Sequence, residues 1–442
     1  MATQRVTALA ASRPLAPTGR WAFAALLVFV VLLYANPGNL LPELGELAYA
    51  KAAAAIAIAA LGGAWLLRDR PLHAGGRVGA LLACFFAWMG LSAIWSLWPS
   101  MTIDAFLDGL KYLAIFFLVA NVVDSRARAV GFAHAVAFST VIPAVGAISS
   151  WLRGEHLVEG DRAGWIGIFA NPNDLAHYLV VGIAFALGGR AVARARWLKI
   201  AYWPALALIA AALLLTQSRG GLLAAATVVT LWPLRGAASW RGRARIAVAV
   251  AAAVALTVHL APETTLRRAE TAFDYREDAS AQGRIDAWRT GWNVTQARPF
   301  TGVGAGAFPL AWPEFAPGDA GPPRTAHNTF IQLLAETGLP ALALFVSALA
   351  AAFLGLRKLT NVRSINRQTS RNSDYYVAVP IYLSNVRSIS AEAATLAAAV
   401  QVGLAGFVVC SLTGGYAYSW PLYLLLGLAA ALPRADFSTE AA

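Results

Sequence analysis

The chain has 442 residues, 58% hydrophobic and only 13% charged, with a net charge of +12. Soluble domains are about half apolar and about a quarter charged, so this composition excludes one and defines a polytopic membrane protein. The basic excess does not argue for nucleic acid, because the arginines sit between apolar segments, as in the cytoplasmic loops of membrane proteins.

Arg5, Arg13 and Arg20 lead straight into the first apolar run, in the manner of an uncleaved basic N-terminus. A span needs ~20 mostly apolar residues, fewer where flanking side chains snorkel. Twelve runs qualify: 21–36, 47–67, 78–98, 105–123, 129–151, 174–190, 197–216, 220–234, 245–260, 339–356, 393–411 and 418–432. The expected architecture is therefore all-α with about 12 transmembrane helices. Cys84 and Cys410 both fall inside such runs, which argues against a disulfide framework or a thiolate metal site.

Alternate short loops are loaded with base: Arg68, Arg70 and Arg77; Arg126 and Arg128; Arg190, Arg194, Arg196 and Lys199; Arg235, Arg241, Arg243 and Arg245; Arg357 and Lys358. The turns 37–46, 99–104 and 412–417 hold no Lys or Arg. Basic loops stay in the cytoplasm, so both termini are expected inside and the base-poor turns outside. The organisation that follows is nine spans over 1–260, an outer segment over 261–338 and a tenth span at 339–356. A polar cytoplasmic segment or insertion over 357–392 comes next, then two spans and a tail over 393–442.

Three places break the charge pattern. Arg153 and Arg162 lie in the outer segment 152–173, and Arg219 sits in a tight outer turn. The long outer segment holds Arg267, Arg268, Arg276, Arg284, Arg289, Arg298 and Arg324, which is no contradiction because long loops translocate regardless of charge. Arg219 is different: a connection of a few residues disfavours it there, so something outside requires it.

The segment DRAGWIGIFANPNDLAH, 161–177, sets Arg162 ahead of an Asn171-Pro172-Asn173 turn, with Asn173 or Asp174 able to cap the next helix. Capping does not explain Arg162, a candidate phosphate contact; His177 reads as a packed polar residue. In LLTQSRGGLLA, 214–224, Gly220 and Gly221 allow a sharp turn and Ser218 can cap. Arg219 then stands at a helix N-terminus, where backbone N–H groups and a fixed cation make an anion site. The plainer reading is an arginine reaching lipid phosphate.

QGRIDAWRTGW, 282–292, places Ile285, Trp288 and Trp292 at helical spacing, to lie on the membrane surface or pack against the bundle, with Arg284 beside them. FTGVGAGAFPLAW, 300–312, has glycines at 302, 304 and 306 but no surrounding βαβ unit, so it is not a dinucleotide fingerprint; it lets backbone pack closely. In RTAHNTFIQLLAETGLP, 324–340, Thr325 or Asn328 starts a helix that ends at Gly338-Leu339-Pro340. His327 falls near its first turn, where the helix dipole disfavours imidazolium and favours a neutral general base. A lone histidine is usually only an interfacial anchor; three arginine-bearing segments on the same face weigh against that.

The outer side shows no two-histidine-plus-carboxylate spacing and no acid pair before a nucleotide-binding pattern. No metal and no cofactor are expected, and a bound diphosphate has to be neutralised by arginine.

These residues resemble the O-antigen ligase/polymerase superfamily of the bacterial envelope, and within it the O-antigen ligases most of all. His327-Asn328, nine residues, then Gly338 resembles the ligase pattern H-[NS]-x9-G. Gln217-Ser218-Arg219-Gly220-Gly221 is similar to its SRG turn, and Gly283-Arg284 with Trp288 to its loop arginine. The G-x-G-x-x-F run at 302–308 and the R…NPN segment at 162–173 are also similar, so the likeness covers about residues 160–340. It implies an inverting, metal- and ATP-independent GT-C glycosyltransferase in the inner membrane. Such an enzyme moves glycan from undecaprenyl diphosphate to lipid A–core on the periplasmic side. It further implies Arg219 and Arg284 on the diphosphate, His327 as general base, and Arg162, Asn328 and Trp288 at the substrate.

The segment 360–391, with NVRSI at 361–365 and again at 385–389, departs from this pattern and is assigned no catalytic role. Two functions compete within the superfamily: an O-antigen polymerase, with a second lipid-linked glycan as acceptor, and a protein O-glycosyltransferase. A transporter ranks third, because the charged candidates cluster at one face rather than mid-membrane and the two halves show no repeat.

Overall fold

The computed structural model describes residues 17–40, 49–66, 72–234, 279–371, 380–435 and 437. The expected ninth span, 245–260, and residues 261–278 of the outer segment lie outside the described residues, as do residues 372–379 of the polar segment. We number the principal helices α1 (Pro17–Ala35), α2 (Tyr49–Leu66), α3 (Gly76–Leu91), α4 (Pro99–Val122), α5 (Arg126–Ser139), α6 (Val141–Arg153) and α7 (Pro172–Val192). They continue with α8 (Arg196–Leu215), α9 (Arg219–Leu234), α10 (Ala279–Ala297), α11 (Thr329–Arg371), α12 (Pro380–Ser411) and α13 (Trp420–Ala431). A two-residue ribbon, β1 (Leu157–Val158) against β2 (Arg162–Ala163), is the one strand pair among the described residues of this otherwise helical fold.

Among the described residues, eight segments are long and apolar enough to cross a membrane, and α9 and α13 are shorter apolar helices. Helix α4 is as long but carries Asp104, Asp108 and Lys111. The expected span 129–151 is split into α5 and α6 at Thr140, whose hydroxyl donates to the Val136 carbonyl at 2.8 Å. The expected span 78–98 ends early, at Leu91. There the chain turns to meet the outer segment, with the Leu97 N–H donating to the Val303 carbonyl at 2.9 Å and the Trp95 indole to the Thr301 carbonyl at 2.7 Å.

Helix α7, the Ala391–Ser411 part of α12, and α13 are apolar on nearly every side and form the buried centre, as such helices must. Because lipid is as apolar as leucine, close packing rather than water exclusion drives their association, and small residues stand at the crossings. A Cβ on Gly427 would come within 2.7 Å of Val119, and one on Gly406 within 2.6 Å of Val228.

The connections sort into two groups at opposite ends of the helices. At one end the basic loops meet, with Arg126 and Arg194 both paired to Glu392 and Arg434 donating to the Ala120 carbonyl at 2.7 Å. At the other end the base-poor turns and the outer segment interlock. Gly167 lies against Asn36 and Asn39, Arg162 donates to the Thr216 carbonyl, Tyr416 to the Asn173 carbonyl, and Asn328 to the Leu412 carbonyl. All the candidate site residues belong to this second end.

Candidate active site

Helix α11 begins where Asn328 caps it: the side-chain oxygen accepts from the Phe330 and Ile331 N–H groups at 3.0 and 3.1 Å. Its amide donates to the Leu412 carbonyl at 3.2 Å, so Asn328 is buried and its side-chain amide is engaged at both ends within the protein. His327 stands just before this cap with φ of 46°, in the left-handed region that few side chains adopt. Such a conformation costs about 1–3 kcal/mol and persists where the surroundings enforce it. Its imidazole is half-buried; burial first, then the Arg284 and Arg324 guanidiniums, hold its pKa below the ordinary histidine value. The neutral ring, a competent base, is thereby favoured at pH 7.

Arg284 reaches this position on α10, which packs on α11 through Gly291 against Ile331. The Trp288 indole donates to the Ala326 carbonyl at 2.9 Å, tying α10 to the residue before His327. Trp288 therefore braces the segment that carries the histidine, while Trp292, one turn on, is 59% exposed. Arg324, not singled out by the sequence reading, lies against the bare Cα of Gly283, so any side chain at 283 would strike its guanidinium. Sequence offered one clue: an arginine three residues before the histidine.

The glycine run is positioned by a break in α11. At Gly338 the backbone takes φ 75° and ψ −178°, and Pro340 has no N–H to donate. The carbonyls of Ala335 and Glu336 are thus freed from the helical ladder and accept from Val303 and Gly304 at 3.0 and 2.8 Å. The Leu339 N–H turns instead to the Pro299 carbonyl at 2.8 Å, and the Trp88 indole takes the Thr337 carbonyl at 2.8 Å. Gly302, Gly304 and Gly306 all have positive φ. This is the close backbone packing expected of the run. It seats Phe308 and Val303 in a small apolar cluster with Ala287, Val294, Trp312, Ala326 and Ala335, which fixes α10 over the histidine.

Arg219 is the first residue of α9 and is exposed. Ser218 helps cap that helix, accepting from the Gly221 N–H at 3.3 Å. The turn itself is made by Gln217, with φ of 49°, and not by the glycines. Gly220 and Gly221 instead belong to the first helical turn, where a Cβ would strike Thr413 and Ala176. Arg162 is 6% exposed and donates to the Thr216 carbonyl at 3.0 Å, to Asn173 at 2.7 Å and to Glu159 at 2.9 Å. It braces the turn that carries Arg219. The next helix is capped by Asn171, which accepts from the Asn173 N–H at 2.8 Å, because Pro172 occupies the first helical position. His177 is buried as expected, stacked on Tyr416 at 4.1 Å and bonded to Ser419 at 2.8 Å.

His327, Arg284 and Arg324 therefore form one group. The Arg219 turn and the cap of α11 lie against a common neighbour, the turn 412–416, which touches Gly220 through Thr413 and binds Asn328 through the Leu412 carbonyl. A neutral base beside fixed cations at a helix N-terminus suits deprotonation of a hydroxyl next to a phosphate leaving group.

Residues 204–346, which contain Arg219, Arg284 and His327, match the family model described as O-antigen ligase. The chain is a multi-pass, all-α membrane protein, and this stretch of it is similar to the O-antigen ligase family. Among characterised proteins it is similar to the exopolysaccharide production protein ExoQ of Rhizobium meliloti, at 27% identity over 284 residues. That match covers 61% of this chain and 63% of the relative, less than two thirds of the relative's length.

Proposed function

We propose that the protein is an O-antigen ligase: an inverting GT-C glycosyltransferase of the bacterial inner membrane, with both termini cytoplasmic and its active site facing the periplasm. The donor is a glycan on undecaprenyl diphosphate and the acceptor is a hydroxyl of lipid A–core. His327 removes the proton of the acceptor hydroxyl as its oxygen attacks the anomeric carbon from the face opposite the diphosphate. The bond from that carbon to the diphosphate oxygen breaks, and the electron pair leaves with undecaprenyl diphosphate, whose charge Arg219 and Arg284 stabilise. The donor arrives activated, so the step needs neither ATP nor a metal ion.

The observation that carries this reading is the half-buried His327 with Arg284 and Arg324 beside it, inside the stretch that matches the ligase family. Fixed cations aimed at a leaving group are worth about 10²–10³ in rate per donor, enough to matter in place of a metal. Trp288, Asn328 and Arg162 serve as braces of this arrangement.

A second reading, polymerase action on a second lipid-linked glycan, is favoured by the similarity to an exopolysaccharide production protein. The deciding experiment supplies purified protein with undecaprenyl-diphosphate-linked glycan and lipid A–core, with EDTA and without ATP. Transfer to core, lost by about 10²-fold or more in His327→Ala at unchanged expression, is the expected result. Normal transfer by His327→Ala ends the general-base assignment, and elongation of lipid-linked glycan without core modification replaces ligase by polymerase.

A further inference from the structure

The turn 412–416 holds no charge, and the sequence reading treats it only as a base-poor outer connection. In the structure it touches both halves of the site. Toward the histidine, the Leu412 carbonyl accepts from Asn328, the Gly414 carbonyl accepts from the Thr329 hydroxyl at 2.8 Å, and the Tyr416 N–H donates to that same hydroxyl at 2.7 Å. Toward Arg219, Thr413 fills the space against Gly220, so that a Cβ there would collide with its hydroxyl. Toward Arg162, the Tyr416 hydroxyl donates to the carbonyl of Asn173 at 3.0 Å, the residue whose side chain receives the Arg162 guanidinium. The Tyr416 ring is held flat against His177, 4.1 Å between centroids and 4° between planes.

We propose that this turn, with Tyr416 as its positioning residue, sets the register between the phosphate-binding end of α9 and the general base on α11. The proposal rests on the reading of Arg219 and His327 given above and adds a device to it. Arg219 is exposed on a long side chain, so a small shift of α9 leaves it able to find a phosphate. The same shift separates that phosphate from His327, and transfer demands that the base, acceptor and leaving group be in line. A fault in the turn therefore lowers the turnover rate while leaving donor-end affinity intact.

The test uses full-length protein in nanodiscs, with undecaprenyl diphosphate as the binding probe and undecaprenyl-diphosphate-linked oligosaccharide with lipid A–core for turnover. Tyr416→Phe keeps the ring stack and removes the hydroxyl, with its bond to the Asn173 carbonyl and its interaction with the Asp174 side chain; turnover is expected to fall about tenfold or more, at least the fold-change of one hydrogen bond. Gly220→Ala, which drives a methyl into Thr413, is expected to lose about 10²-fold in turnover. In both, undecaprenyl diphosphate affinity stays near wild type. Adding Thr413→Gly to Gly220→Ala clears the collision and restores turnover, which general damage to the fold would not allow. Arg219→Ala is the control for the underlying reading: if it leaves undecaprenyl diphosphate binding intact, that reading fails. If Arg219→Ala weakens binding but Tyr416→Phe turns over normally, or Gly220→Ala is not rescued by Thr413→Gly, the positioning role is overturned alone.

Discussion

Substituting Gly338 by alanine attacks the break in α11 directly. The residue has φ 75° and ψ −178°, a region open essentially to glycine, and a Cβ there would strike the Phe300 carbonyl group. Forcing alanine into it costs about 1–3 kcal/mol. If the backbone relaxes instead, the bonds Val303 to Ala335, Gly304 to Glu336 and Leu339 to Pro299 are lost, each worth about 1 kcal/mol net. By either route the local penalty is roughly 1–3 kcal/mol, a sizeable share of the stability of a small domain but confined to one loop. The spans keep their packing, so the expected outcome is release of the segment 298–316 and loss of transfer, with most of the thermal unfolding transition preserved. Limited proteolysis alongside a thermal melt in the same detergent measures both. A Gly338→Ala protein with wild-type proteolysis and wild-type transfer would refute the proposed coupling between the kink and the glycine run.

In the proposed reaction the base is neutral His327, so kcat/KM should rise with pH and level off below the ordinary histidine value of 6.5, because burial and two arginines disfavour the charged ring. Arg324→Gln removes one of those cations and should move the inflection upward; an unmoved or lowered inflection would separate Arg324 from the site. Arg162→Ala should lower thermal stability by roughly 2–4 kcal/mol, since it strips charged donors from the Thr216 carbonyl and Asn173, and should lower transfer with it. Arg219→Ala, at an exposed position where Arg162 is buried, should lower the melting temperature less than Arg162→Ala while weakening undecaprenyl diphosphate binding about tenfold or more. A shared thermal loss in both variants would make Arg219 a brace as well.

The spans and their two ends were legible because apolar runs and arginine loops are local signals. His327 and Arg219 were legible for the same reason: each is a polar residue at a helix entrance. Arg162 was legible as an anomaly, yet its role as a brace depends on the Thr216 carbonyl, 54 residues away in sequence. The partnership of the glycine run with Gly338 follows from a proline and a glycine that free two carbonyls, but nothing local says which N–H groups will take them. The turn 412–416 carries no chemical signal at all; small residues and one tyrosine declare a function only through what is brought against them. The same holds for Asn171, where the proline beside it set the cap three residues before the acid at 174 and two before Asn173.

The double pairing of Glu392 with Arg126 and Arg194 has a practical consequence. It anchors α12 immediately after residues 361–390, and the Gln401 amide, donating to the Phe353 carbonyl at 2.7 Å, fastens α12 to α11. Whatever length of polypeptide is inserted there, the helices re-engage at fixed points, far from the histidine. That stretch is the natural graft site for a rigid fusion partner, giving a small membrane protein the bulk and asymmetry that particle alignment in electron microscopy demands.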